Sequence, residues 1–159
     1  MKKTAIIVTL ILGIIVVGAA WRVHHARTPQ RVEAAGFESD MTEALVRGIS
    51  PELQNASVCF VAFGEDKIAP SWPFIARFAG SHPPVESFKY STSSPGGKIL
   101  DVSTGRAGVT VQIISFKEFV PGTFDVLVAF SNLPSGRDRF VYRISGTGGD
   151  WTIKSRKPE

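Results

Sequence analysis

From Ala5 to Trp21, seventeen consecutive residues carry no charge, and Met1-Lys2-Lys3 precedes them. A helix rises about 1.5 Å per residue, so this run just spans a thin bilayer core of roughly 27–30 Å. Residues 1–4 therefore read as a basic start and 5–21 as a transmembrane signal anchor, with Ile6, Leu10, Ile14 and Val17 facing lipid. Residues 22–36 follow as a linker and 37–159 as a single domain. A cleaved signal peptide is the competing reading, with Gly18-Ala19-Ala20 at the cut, and it would leave a secreted domain. Against cleavage, the run exceeds the usual apolar core of about 7–15 residues, and Arg22 follows at once. The flanking charges nearly balance, Lys2 and Lys3 against Arg22, Arg27 and Arg31. The short Met-Lys-Lys tail favours an extracytoplasmic domain, periplasmic or extracellular. His24 and His25 read as part of a solvated juxtamembrane linker.

Charge is distributed unevenly. The chain holds 18 Lys and Arg against 14 Asp and Glu, yet residues 1–32 contain five of the basic residues and no acid. The remainder has 13 basic and 14 acidic side chains, so the alkaline character belongs to the membrane-proximal end. A nucleic-acid partner needs a basic face on the folded part, and none is expected. The single cysteine, Cys59, excludes an intramolecular disulfide. It lies in the apolar run Val58–Phe63 and reads as a buried packing residue, because a reactive thiolate needs an electropositive, partly open setting.

Apolar residues Phe37, Met41, Ala44, Leu45 and Gly48 recur at helical spacing, with acids early and Arg47 late. Ser50-Pro51 should end that helix. Val58–Phe63 reads as a strand covered on both faces. Ser71 can cap a second short helix closed by Gly80, with Trp72, Ile75 and Ala79 on one face. Ser91–Gly97 reads as a polar loop, and its Gly96-Gly97-Lys98 ending lacks the frame of a phosphate-binding loop. From Lys98 onward the period becomes two, through Ile99–Val102, Val109–Ile113, Phe124–Phe130, Phe140–Ile144 and Trp151–Ile153. Turn-forming residues separate these runs. The expected fold class is α+β: an antiparallel meander of about four to five strands, packed on one or two helices behind the N-terminal transmembrane helix.

Several stretches together resemble a bacterial family of exported or membrane-anchored α+β domains to which no activity is assigned. They are Leu45–Asp66, Pro70–Val85 with its Phe78-Ala79-Gly80-Ser81-His82-Pro83-Pro84-Val85 run, the Thr104–Gly108 turn, and the closing Tyr142–Ile144 and Asp150–Ile153 segments. The resemblance covers roughly residues 40–156. One departure is Gly149-Asp150-Trp151, where a Gly-Lys-Trp turn is expected. The resemblance implies one domain behind a membrane segment and brings no catalytic residues.

No catalytic, metal or cofactor site is expected from the residue pattern. The leading expectation is a non-catalytic module for an envelope protein or cell-wall component. A small-ligand enzyme or hydrolase is the alternative, with a sheet–helix pocket drawn from His82, Glu86, Asp66, Asp101 and Tyr90. His82 and Glu86 are its foremost residues, although general acid–base chemistry needs two such groups within reach of one substrate. A cytoplasm-facing tethered regulator is the other alternative. Arg143, Lys154 and Arg156 mark a possible surface for acidic polymer or anionic lipid.

Overall fold

The computed structural model describes residues 36–132 and 139–159, which fall in one compact unit. The expected anchor, with Ile6, Leu10, Ile14 and Val17, and the linker histidines lie outside the described residues. Among the described residues no helix is long and apolar enough to cross a membrane.

Helix α1 (Asp40–Ile49) starts on Ser39, whose Oγ accepts from the Thr42 N–H at 3.3 Å. Asp40 and Glu43 in its first turn meet the positive end of the helix dipole, and Arg47 lies near the negative end. Met41, Leu45, Val46 and Ile49 form its buried stripe. Pro51 then diverts the chain into a 3₁₀ turn, Ser50–Leu53. Strand β1 (Cys59–Phe63) is buried at every residue. Helix α2 (Trp72–Ala76) begins on Ser71, which accepts from the Phe74 N–H at 3.4 Å and donates to Glu38 at 2.7 Å. After it come β2 (Val85–Ser87), β3 (Ser91–Ser93), β4 (Ile99–Asp101), β5 (Val109–Val120), β6 (Thr123–Ser131), β7 (Arg139–Thr147) and β8 (Asp150–Pro158).

The class is α+β, but the sheet differs from a simple meander. Six strands run in the order β2-β1-β5-β6-β7-β8, and β1 is parallel to both of its neighbours. Only β5 to β8 form an antiparallel meander. The reason lies in β1, whose five apolar residues suit a central strand with both faces covered. Parallel neighbours require crossovers. The first contains α2, and the second contains the β3–β4 hairpin. Ser91–Ser93, expected as loop, is thus a strand paired with Ile99–Asp101. The turns are also tighter than the sequence suggests. Pro121-Gly122 joins β5 to β6, and Gly148-Gly149 joins β7 to β8, with φ of 63° and 101° that glycine adopts without strain.

The sheet separates two clusters. On one face α1 and α2 close over Cys59, Val61, Phe63, Val111, Ile113, Val126, Val128, Tyr142 and Ile144. On the other, Val58, Phe60 and Ile99 are buried together with Phe88 against them. The two helices are tied at their surface: Arg77 Nη1 lies 2.9 Å from Asp40 Oδ1 and 3.4 Å from Glu43 Oε2. Exposed pairs of this kind add little stability, but they fix where α2 rests relative to α1.

Candidate functional site

An apolar groove of about 680 Å³ runs along β2. Its walls come from opposite faces of the sheet. Trp72, Ile75, Ala76 and Ala79 supply one wall from α2 and the turn that follows. Tyr90 and Val102, flanking the β3–β4 hairpin, supply the other. Tyr90 and Val102 are held together by the Val102 N–H, which donates to Tyr90 O at 2.9 Å. Large apolar side chains rarely stay open to water without a reason when they gather in one place. Here Trp72 is 71% exposed, Val102 63% and Tyr90 44%, and all three line the same groove.

Of the residues named from sequence, His82, Glu86 and Tyr90 line this groove. Asp101 lies beside them beneath the surface, and its charge acts on Glu86. Partial burial, with that neighbouring charge, raises the Glu86 carboxyl above its ordinary range. Asp101 is otherwise engaged. Its Oδ1 accepts from Ser103 N–H at 2.7 Å and Ser103 Oγ at 2.8 Å, and its Oδ2 accepts from Thr104 Oγ1 at 3.0 Å. These bonds, led by those from Ser103, hold its carboxyl below the ordinary value. Among the described residues no hydrogen bond joins His82 to a carboxylate, and no cation pairs with Glu86. Asp66 sits in the turn after β1 and does not line the groove. No three His, Cys, Asp or Glu side chains gather as metal ligands among the described residues.

The groove also holds a residue that the sequence did not single out. Ser87 is buried, and its Oγ has no hydrogen-bond partner among the described residues. An unpaired buried hydroxyl costs about 1–3 kcal/mol.

No family model, curated protein or solved structure matches this chain.

The basic residues near the carboxy terminus divide between the two faces of the sheet. Arg143 lies opposite Asp125 and donates to both its carboxylate oxygens, at 2.7 and 2.9 Å, with the Phe119 ring 3.8 Å from the guanidinium. Arg156 stands opposite Tyr142, on the helix side. There it ion-pairs with Glu52 and covers the Phe140 ring at 3.7 Å. Lys154 is the extra residue of a bulge between these two positions. The three do not make one patch, and both guanidinium groups already have carboxylate partners.

Hydrogen bonds from Arg143 are the chief reason that the Asp125 carboxyl lies below its ordinary 3.8, against an opposing effect of burial. A carboxylate with a lowered folded value stabilises above its unfolded value, and the gain disappears as pH falls through the folded one. The expected result is a decline in urea midpoint below about pH 4 that Asp125→Asn flattens in part. An identical acid limb in that variant would show the pair to be without effect.

Cys59 is fully buried on the helix side of β1, and burial pushes its thiol up to about 12. It is a packing residue. A water-soluble disulfide reagent is expected to leave it untouched in the native chain and to modify it completely in guanidinium chloride. Rapid modification of the folded chain would contradict the burial.

Proposed function

We propose that this chain is a non-catalytic binding module, held at a membrane by Ala5–Trp21, with its domain outside the cytoplasm and its partner seated in the groove along β2. We also place it with the bacterial family of exported or anchored α+β domains that it resembles. The observation that carries the binding role is the exposure of Trp72, Tyr90 and Val102 within a single apolar groove. Aromatic side chains open to water in a pre-formed concavity are what a recognition site requires. The enzymatic alternative has less support. His82 and Glu86 share the groove, but Asp101 beside them is committed to Ser103 and Thr104 rather than free for acid–base work.

The test uses a photo-reactive benzophenone side chain placed at Trp72 or at Lys154 in the full chain in cells. Adducts are expected on irradiation at position 72 and not at 154. Equal yield at both positions, or none at 72, would remove the groove as the binding site. Location is tested separately with carboxy-terminal fusions. An active alkaline phosphatase and a dark green fluorescent reporter are expected, and the reverse pattern would favour the cytoplasmic regulator.

A further inference from the structure

Among the described residues that line the groove, Glu86 is the only Asp, Glu, Lys or Arg. In the β1–β2 pair it lies opposite Phe60, so its side chain shares the face of Phe60 and Phe88, away from α2. Partial burial and the nearby Asp101 carboxylate both act against its charge. Among the described residues no lysine, arginine or histidine forms an ion pair with it. A carboxylate drawn out of water without a partner is costly, and a ligand that covered it would raise that cost unless it supplied the opposite charge.

The charge pattern sorts the ligands that fit. An anion would meet Glu86, with Asp101 behind it and no lysine or arginine on the walls to receive it. A neutral molecule would cover the carboxylate and leave it unpaired. A cation pairs with it. The aromatic wall favours the same choice, because Tyr90 lies on this side of the groove and its ring already attracts an ammonium: exposed Lys89 places Nζ 4.8 Å from the ring centroid without lining the groove. The other walls, with Trp72 and Ile75 on α2 and Val102 beside the hairpin, are apolar and suit a hydrocarbon body. A volume of about 680 Å³ falls in the range of small-molecule sites, about 300–1,000 Å³. An extended peptide has less to hold: Val85 and Ser87 are buried and β2 is three residues long, so recognition falls to side chains. A lipid headgroup brings a phosphate along with its amine, beside two carboxylates, so a free amine is the better fit.

We infer that the groove binds a small organic cation, an amine on a hydrocarbon body, with its charge at Glu86 and Tyr90 and its body against Trp72 and Ile75. This rests on the binding-module reading and names the chemical class of the ligand.

The experiment titrates the full chain, in micelles of an uncharged maltoside detergent, with three probes of one shape: cyclooctylamine, cyclooctanol and cyclooctanecarboxylate. The Trp72 indole N–H resonance reports occupancy of the groove. The amine is expected to bind about tenfold more tightly than the alcohol, and the carboxylate more weakly than either. Glu86→Gln should bring the amine down to the alcohol, while Lys89→Gln, which removes a competing ammonium, should strengthen the amine about twofold. The melting midpoint of ligand-free Glu86→Gln should not fall, because an unpaired carboxylate is lost; a fall would make Glu86 a structural residue and overturn the assignment. So would an amine preference that survives in Glu86→Gln, a weaker amine in Lys89→Gln, or tighter binding of the carboxylate. Dihexanoyl phosphatidylcholine should bind less well than the amine, and the reverse order would replace the free amine by a lipid. If no probe shifts Trp72 while benzophenone at position 72 still forms adducts in cells, the amine falls and the binding module stands. If both fail, both fall.

Discussion

Gly146→Ala is expected to cost the domain about 3 kcal/mol. A Cβ added at Gly146 would lie 2.0 Å from Asp150 O and 2.8 Å from both Asp150 C and Trp151 Cα. All three are backbone atoms of the neighbouring strand, so no rotamer change relieves the overlap. The strands must part where Gly146 pairs with Trp151 and Thr147 with Asp150, beside the two-residue turn that sets the register of β8. Trp151 packs edge-on against Phe124 at 5.9 Å, so its fluorescence should report the displacement. Thermal denaturation should show a midpoint lower by about 10 °C. Gly48→Ala is the control: its Cβ would meet Ile153 Cδ1 at 2.6 Å, the mobile end of a side chain. Helix propensity gains about 1 kcal/mol there, so a small net effect is expected. Equal behaviour of the two variants would show that the close strand contact at Gly146 does not exist in solution.

Phe63→Ala should be as damaging, at about 3–5 kcal/mol. Phe63 ends β1 fully buried, stacked on Phe37 at 5.3 Å and edge-on to Phe74 at 5.6 Å. Phe37 in turn meets Phe116 of β5 at 5.0 Å, and Phe74 meets Phe78 at 5.4 Å. One ring therefore joins the central strand, the approach to α1 and the α2 segment. Its removal leaves a cavity between elements that no single shift can close. Because α2 is one wall of the groove, the loss should extend to the site. Urea denaturation measures the first effect, and the yield of the Trp72 cross-link measures the second. Phe63→Leu should restore about half of the stability. A loss below about 1 kcal/mol for Phe63→Ala would mean that this ring is not the junction described.

Much of the frame was legible because it rests on local chemistry. Acids early in α1, the Ser71 cap of α2, Pro51 after α1 and the alternating apolar residues of β5 to β8 all mark their elements locally. The parallel pairs of β1 were not legible. Periodicity shows that Val58–Phe63 is covered on both faces, but it does not show which distant strands do the covering. Strand β2, with three residues, is too short to display a period, and Ser91–Ser93 has the composition of a loop. At the carboxy terminus the bulge between Arg143 and Ile144 shifts the alternation by one residue. A two-residue count carried through it puts Arg156 on the wrong face, which is why Arg143 and Arg156 read from sequence as neighbours on one surface. The groove was half visible. Trp72, Ile75 and Ala79 read as one face, and His82, Glu86 and Tyr90 were named. Nothing in the residue order showed that Val102 would leave its strand to complete the opposite wall.

The sheet order has a further consequence for how the chain assembles during synthesis. Cys59 lies beside Val109, fifty positions later, whereas β5 and β6 are joined through a single tight turn. Closing the longer loop is entropically the harder step and should come after the hairpins. A ribosome releases α1 and β1 first, yet β1 acquires its inner neighbour only once Val109–Val120 has emerged. Until then Cys-Phe-Val-Ala-Phe is an uncovered, uncharged, strand-forming pentapeptide, the kind of segment that nucleates aggregation and that holding chaperones shield.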